Sequence, residues 1–187
     1  RIARNAGSEG TLVVRNGGEL EVRPGESANT ETSGPGLSLG EELDSRGTLV
    51  VDGPGSAVDI RQDSPLDPSG PFLQIGDGLG AGEVTIRNDG EVSLDGPSPF
   101  VGVSDARAGD PGSQETTDTT AVEQSTLRIE SGGTLALSDD TGGNASIAVG
   151  QRAGGDGAVV VTGDGSEIRL ETTADGSSSL SVGQGGT

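Results

Sequence analysis

The chain lacks the side chains that most enzymes use for chemistry near neutral pH. It contains no Cys, His, Lys, Met, Trp or Tyr, and Phe occurs only 2 times in 187 residues. Their absence excludes thiolate nucleophiles, disulfides, proton transfer by imidazole and Schiff bases on an amine. Carboxylates and hydroxyls are the side chains left for catalysis.

Positive charge and long apolar runs are also scarce. All 11 basic residues are Arg, they face 30 Asp and Glu, and the formal net charge is -19. Such a chain cannot neutralise a phosphate backbone, so we predict no nucleic-acid partner. The longest apolar runs fall far short of the roughly 18 residues that a membrane-spanning helix needs, which predicts no membrane insertion.

Glycine, in contrast, is abundant and regularly placed. The 35 Gly and the 29% hydrophobic content would favour disorder if they were scattered. They instead follow a recurring pattern, apolar-x-apolar-Gly, and repeats at such intervals are typical of solenoids. The pattern occurs at 37–40, 73–76, 147–150 and 180–183, with a looser copy at 101–104.

Two further strand-like runs follow most copies of this pattern, so each repeat carries a first, a second and a third strand. In the later two, aliphatic residues flank one variable position, as in Val84-Thr85-Ile86. Successive strand residues point to opposite faces, so the aliphatic pair faces a core and the variable residue faces solvent. The predicted outward residues are Val13, Val50, Thr85, Arg128 and Val160 in the second strands, and Glu21, Asp59, Ser93, Ala136 and Arg169 in the third strands.

Corners rich in Asn, Asp and Gly join the second and third strands, because these residues tolerate positive φ. The corners have two lengths, and the longer form ends in Ser56 or Ser166. Each strand resembles its counterpart in the next repeat more than the other strands of its own repeat, which parallel stacking requires and a meander does not. The sequence therefore predicts an all-β fold, a right-handed parallel β-helix (β-solenoid) with three short strands per coil and about five to six coils.

The repeats extend over almost the whole chain, so we interpret 1–187 as a single β-solenoid segment and as an excerpt of a longer repeat array. Ile2 occupies an inward position at the close of a first strand. Phe72 and Phe100 each follow Pro and precede a first strand, which predicts that they stack in successive coils. Residues 104–124 form an acidic, Thr-rich inserted loop.

Paired carboxylates are the remaining candidates for catalysis. Asp139-Asp140 and Glu41-Glu42 are adjacent pairs. Adjacent residues alternate across a strand or lie in a solvated loop, and nothing near them in the sequence provides the burial that raises the pKa of one carboxyl. We therefore predict no catalytic residue, no cofactor and no enzyme activity.

Calcium binding is the alternative for the acidic corners. Asp156 and Asp164 lie in Gly-Asp stretches similar to the calcium-binding nonapeptides of β-rolls, but Val159 occupies the position of the second Asp that such a site requires. Solvated acidic corners are the competing interpretation. Asn144-Ala145-Ser146 fits the N-glycosylation pattern, a three-residue match that chance also produces.

Two repeats show a family resemblance. Residues 73–94 (LQIGDGLGAGEVTIRNDGEVSL) and 147–170 (IAVGQRAGGDGAVVVTGDGSEIRL) resemble the strand-loop-strand repeats of bacterial autotransporter passenger domains and related large β-helical adhesins. The chain departs from that pattern in having Ala57 and Glu167, and not Trp, after its Gly-Ser units. The resemblance implies an extracellular rod, secreted or displayed on the cell surface and used in adhesion, aggregation or extracellular matrix.

Two function hypotheses follow. The first is a noncatalytic surface adhesin or fibre-forming structural protein, whose partners are other copies, neighbouring solenoid segments, or glycans of a host surface or matrix. Its acidic surface keeps a long rod soluble. The alternative is a polysaccharide-binding or polysaccharide-cleaving β-helix module of the tailspike type, which predicts a groove with clustered carboxylates.

Overall fold

A computed structural model describes residues 1–24, 34–63, 69–76, 80–104, 124–150 and 156–183. Within these ranges every regular element is a β-strand and none is a helix. The strands form three five-stranded sheets, and all pairings within them are parallel. The prediction of an all-β solenoid with three strands per coil is therefore confirmed.

The fifteen strands follow one another in a fixed rotation among the sheets. Numbered in chain order, they are β1 (Glu9–Arg15), β2 (Glu19–Val22), β3 (Gly36–Leu39), β4 (Arg46–Asp52), β5 (Ala57–Arg61), β6 (Phe72–Ile75), β7 (Ala81–Arg87), β8 (Glu91–Asp95), β9 (Phe100–Val103), β10 (Ser125–Glu130), β11 (Thr134–Asp139), β12 (Asn144–Val149), β13 (Gly157–Thr162), β14 (Glu167–Thr172) and β15 (Ser177–Val182).

Each sheet collects one strand type of the repeat. Sheet 1 contains the first strands, in the order β3-β6-β9-β12-β15. Sheet 2 contains the second strands (β1-β4-β7-β10-β13) and sheet 3 the third strands (β2-β5-β8-β11-β14). The described residues thus make four complete turns between β1 and β13, and β14 and β15 continue the fifth, which is at or below the predicted five to six coils. The right-handed sense of winding stays a prediction from the usual hand of parallel crossovers.

The observed register is the one that the repeat alignment predicts. In sheet 2, Leu12 pairs with Leu49, and Leu49 pairs with Val84. The same inward position continues through Leu127 and Val159. Because a one-residue slip would turn every aliphatic side chain outward, this register follows from the period-two pattern.

The inward side chains form one continuous core along the rod. Residues of the central coils such as Leu49, Ile86 and Leu94 are completely buried. Ile2, the residue predicted to close a first strand, makes an isolated parallel bridge with Leu39 and packs against this core. Aliphatic pairs stacked coil on coil therefore bury enough apolar surface for a chain of modest hydrophobic content.

A serine hydroxyl stabilises the longer of the two corner forms. In the longer corners, the hydroxyl of Ser56 donates to the carbonyl of Asp52 (2.8 Å) and accepts from the amide of Gly17 in the preceding coil (3.2 Å). Ser166 makes the equivalent pair of bonds, to the carbonyl of Thr162 (2.7 Å) and from the amide of Gly132 (3.1 Å). The extra residue is absorbed in the corner, so the strands on both sides keep their register.

The corner between sheets 1 and 2 is too tight for most side chains. A Cβ added at Gly82 would lie 2.5 Å from the amide nitrogen of Gly76, so a residue without a side chain is needed there. In the next coil Ser125 replaces this glycine, is completely buried, and its hydroxyl accepts from the amide of Gly82 (3.2 Å). Ser104 and Gln124, the ends of the predicted inserted loop 104–124, are described, and residues 105–123 between them lie outside the described residues.

Candidate functional site

The three outward surfaces of the solenoid differ in charge, although one chain with one repeat forms them all. Every second residue of a strand points outward. The outward residues of the five strands in a sheet together form one array, to which each strand contributes one row. The outward array of sheet 1 is uncharged, that of sheet 2 mixes both signs, and that of sheet 3 is mainly acidic. A functional site must therefore be sought on each array separately.

The outward array of sheet 1 carries both aromatic residues of the chain. Phe72 and Phe100 are direct partners on adjacent strands and are half-buried, so the prediction that they share a position in successive coils is confirmed. The array consists of uncharged residues only. These are Gly36, Ser38, Phe72, Gln74, Phe100, Gly102, Asn144, Ser146, Ala148, Ser177, Ser179 and Ser181.

At two places in this array a large side chain packs over a glycine of the neighbouring strand. The Phe72 ring occupies the space that a side chain at position 36 would need, since a Cβ on Gly36 would lie 2.5 Å from it. The amide of Gln74 fills the space above Gly102 in the same way, and its Nε2 donates to the carbonyl of Gly76 (2.9 Å). Sheet 1 thus presents ordered side chains, which suits it to contact another molecule.

The outward array of sheet 2 ends in a charge ladder. Arg15, Asp52, Arg87 and Glu130 are register partners on four successive strands and alternate in sign. The Arg87 guanidinium lies 3.0 Å from the Asp52 carboxylate, and the Asn88 amide donates to the same group (2.7 Å). These bonds, that of Asn88 first, lower the pKa of Asp52. Asp52 is therefore paired within the ladder, whereas the Nε of Arg87 is buried without a hydrogen-bond partner among the described residues.

A shallow depression of about 140 Å³ lies at the other end of the same array. Arg46, Glu83 and Arg128 are among the residues that line it. The Arg46 guanidinium is 4.0 Å from the Glu83 carboxylate. The volume is below the roughly 300–1,000 Å³ of ordinary ligand pockets, so the depression does not by itself indicate a ligand site.

The acidic array of sheet 3 contains two carboxyl groups in contrasting environments. Asp59 accepts from the Ser93 hydroxyl (2.6 Å) and pairs with the Arg61 guanidinium (2.6 Å). Burial acts to raise the pKa of Asp59, but the bonds from Arg61 and Ser93 outweigh burial and lower it. For Asp95, on the next strand, burial raises the pKa, and the attraction of Arg61 does not offset it.

Acid–base catalysis on a glycosidic bond uses two carboxyl groups whose environments shift their pKa values in opposite directions, and Asp59 and Asp95 show shifts of opposite direction. The sequence analysis did not select Asp59 and Asp95 together. The signal that could have found them is the presence of acidic residues near equivalent outward positions of two consecutive third strands, with Arg61 as the register partner of Asp95.

In the pair Asp139-Asp140, Asp139 is buried and has a structural role. Asp139 is 2% exposed and accepts from the amide of Ser98 (2.7 Å) and from the amide and hydroxyl of Thr141 (both 2.8 Å). Burial raises the pKa of Asp139, but these hydrogen bonds, together with one from Gly143, lower it overall. Asp140 is exposed, so the two carboxyl groups lie in different environments as predicted, but the expectation that neither is buried is wrong for Asp139.

The two residues of the pair Glu41-Glu42 also have different contacts. The Glu41 carboxylate lies 3.2 Å from the Arg1 guanidinium and 4.0 Å from that of Arg4. Glu42 contributes its backbone, whose amide donates to the Ser45 hydroxyl (3.0 Å) and whose carbonyl accepts from it (2.6 Å). The two side chains therefore do not converge on a shared site.

The calcium candidates lie at opposite ends of one strand. Asp156 directly precedes β13, and Asp164 is exposed in the corner that follows it. A six-residue strand spans about 20 Å, so the two carboxylates cannot bind one ion. The Gly residues 154 and 155 of the predicted motif lie outside the described residues. Among the residues that the structure does describe, no cluster of three or more acidic side chains could hold a metal.

The glycosylation motif begins at the exposed Asn144, the first residue of β12. The Ser177 hydroxyl donates to the Asn144 side-chain oxygen (2.6 Å). Ala145 is buried and Ser146 is half-buried. The motif is thus part of a paired strand, in which Asn144 already contacts the next coil.

The described part of the chain contains no helix long and apolar enough to cross a membrane. Comparison of the chain with protein-family models, with curated proteins and with solved structures finds no match.

Proposed function

We propose that this protein is a noncatalytic extracellular rod, an adhesin or fibre-forming structural protein of a cell surface or matrix. The observation that carries the proposal is the unbroken parallel register through five strands of each sheet. Register partners that are locked at every inward position make the coils a stack in which each coil supports the next. A stack of this kind supplies length and stiffness, which are what a surface spacer needs.

The chemistry of the outward arrays is consistent with this role. Charge of one sign predominates on sheet 3, and a net charge of -19 keeps neighbouring rods apart in solution. The resemblance of the repeats to passenger-domain and adhesin repeats supports secretion or surface display. Adhesion would then depend on whichever outward array lacks this repulsive charge.

The proposal is tested by displaying the chain on the surface of a non-adherent bacterium and measuring attachment to cells and matrix-coated glass. We expect more attachment than with the same display scaffold alone, and we expect the purified chain to show no turnover of polysaccharides. Electron microscopy of the purified chain should show short rods or filaments built from them. Release of sugar products by the wild-type chain would overturn the noncatalytic part.

The second candidate is polysaccharide cleavage, and the contrast between Asp59 and Asp95 is the observation that favours it. In that function Asp95 would donate a proton to the leaving oxygen and the ionised Asp59 would act as base or nucleophile. A reducing-end assay on a panel of polysaccharides separates the two candidates. Activity that D95N and D59N abolish, and that D164N leaves unchanged, would favour the enzyme over the rod.

A further inference from the structure

We propose that the outward array of sheet 1 is a docking surface for an uncharged, linear polysaccharide. This inference deepens the adhesin function proposed above and rests on it. Its starting point is the absence of charge from every outward residue of that array, in a chain where 22% of residues are charged. Both Phe residues of the chain lie in the same array.

The contrast with the other two arrays shows that solubility alone does not explain this composition. Equivalent outward positions of sheets 2 and 3 carry a charged residue in most strands. Examples are Arg46, Asp52 and Glu83 on sheet 2, and Glu21 and Glu91 on sheet 3. All three arrays belong to the same strands-and-corners repeat, so the backbone does not impose the difference. Contact with an uncharged molecule is a physical reason to exclude charge, because burying an unpaired charge is costly.

The accessible part of the array is a strip along the rod. Ser38 and Ala148, in the middle of their strands, are buried. Phe72, Phe100 and Ser146, which are register partners in consecutive coils, are half-buried. The strip continues through exposed serines of β15 and the exposed Asn144 of β12. The exposed serines are Ser177 and Ser179.

This strip has the chemistry that recognises a neutral sugar chain. The apolar C–H faces of a pyranose pack on aromatic rings, and its hydroxyls pair with side chains that both donate and accept, such as Ser and Asn. Successive strands are about 4.8 Å apart, so the rings and hydroxyls recur at nearly the spacing of one sugar unit. A linear polysaccharide lying parallel to the rod could contact consecutive coils.

Charge selects a neutral glycan over the other occupants. A second copy would bring another net charge of -19 alongside the first, and an acidic polysaccharide would meet the same repulsion. A neutral glycan meets none. We therefore expect this surface to bind an uncharged polysaccharide and to discriminate against uronate-containing chains.

The test is isothermal titration of the full chain with cellohexaose and laminarihexaose as neutral probes and hexagalacturonate as an acidic one. Phe72→Ser and Phe100→Ser are suitable variants because Ser146 already stands at this register position one coil later. Val13→Thr is the matched control, since Val13 is 48% exposed on sheet 2 and Thr85 stands at its register position. Circular dichroism and thermal melts confirm that each variant is folded.

We expect a neutral probe to bind, hexagalacturonate not to bind, each Phe variant to bind about tenfold more weakly, and V13T to bind unchanged. Equal binding by the Phe variants, tighter binding of hexagalacturonate, or no binding of either neutral probe would overturn the inference. So would a dimer in analytical ultracentrifugation that F72S or F100S abolishes, since the occupant would then be a second copy. Surface attachment that persists in both Phe variants would leave the adhesin function standing while removing this site.

Discussion

A central coil and the C-terminal coil of this solenoid have the same sequence pattern but very different burial. In β8, Leu94 is completely buried, whereas Leu170 in β14, at the same register position, is only half-buried. In β15, Leu180 and Val182 are 52% and 73% exposed, although their partners Ile147 and Val149 lie in the core. The difference is that β13–β15 have a described neighbouring coil on one side only.

This comparison shows where the stability of the fold resides. An inward aliphatic side chain gains its free energy from the coils above and below it as much as from its own strand, as expected of a stack with nearest-neighbour coupling. The same substitution should therefore cost very different amounts in the two coils. The predictions below test that difference, beginning with the largest effect.

We expect the largest loss of stability when a leucine at the same register position is truncated to alanine, and the loss should differ between the two coils. Leu94→Ala should lower the free energy of unfolding by about 2–5 kcal/mol, because it leaves a cavity with packed atoms on all sides. Leu170→Ala should cost less than half as much, because its site is already partly open to solvent. Urea unfolding with circular dichroism measures both. Equal losses would contradict the dependence on neighbouring coils.

The second prediction concerns the buried carboxylate of the central region. Asp139→Asn replaces an acceptor of several hydrogen bonds, including those from Ser98 and Thr141, with an amide that can accept at one atom only. We expect a loss of about 1–3 kcal/mol at neutral pH. Asp140→Asn removes the same charge from an exposed neighbour and is the control.

The pH dependence of the Asp139 effect has a definite sign. Its folded-state pKa is lowered, so its contribution is present above the unfolded-state pKa of about 3.9 and is lost as pH falls through the folded value. The difference in melting temperature between wild type and D139N should therefore shrink as the pH falls below about 4. A constant difference down to pH 2 would show that packing, and not ionisation, is what the variant changes.

The third prediction compares the two long corners. Ser56 is 1% exposed and Ser166 is half-buried, yet each makes the same two hydrogen bonds across a coil boundary. Ser56→Ala should cost about 1–2 kcal/mol because it leaves the part-buried amide of Gly17 and the part-buried carbonyl of Asp52 without this partner. Ser166→Ala should cost less, because water can reach the groups that it leaves. Thermal unfolding of both variants decides between this order and the reverse.

The fold was predictable from sequence because its determinants are local and repeated. Leu127 and Ile129 with Arg128 between them already indicate which face is buried, and Gly at recurrent corners indicates where strands end. The sequence also shows that the longer corners end in serine, but it does not show the hydrogen bonds of this serine to the preceding coil. Those bonds join residues 39 and 34 positions apart, and only the stacking of coils brings them together.

The candidate sites were less predictable because they depend on alignment between coils. Asp139 and Asp140 are adjacent in the sequence and were therefore candidates for a shared site, but Asp139 is buried and Asp140 is exposed. Asp59 and Asp95 are 36 positions apart, and their proximity follows from the pairing of β5 with β8. The uncharged array of sheet 1 also becomes visible only when the outward residues of five strands are aligned.

The smallest expected effect has the opposite sign. The pKa of Asp95 is raised by burial and by Asp140, among other carboxylates, so the ionised carboxylate costs free energy in the folded state at neutral pH. Asp95→Asn should therefore raise stability by roughly 0.5 kcal/mol or less at pH 7, since the group is partly exposed and screened. The gain should vanish as pH falls below the unfolded-state pKa of about 3.9, because wild-type Asp95 is then protonated in both states. Asp164→Asn is the control, because it removes one carboxylate charge from an exposed corner, where burial does not destabilise the ionised group. A D95N variant less stable than D164N at pH 7 would mean that attraction to Arg61 outweighs burial, and the contrast with Asp59 would then disappear.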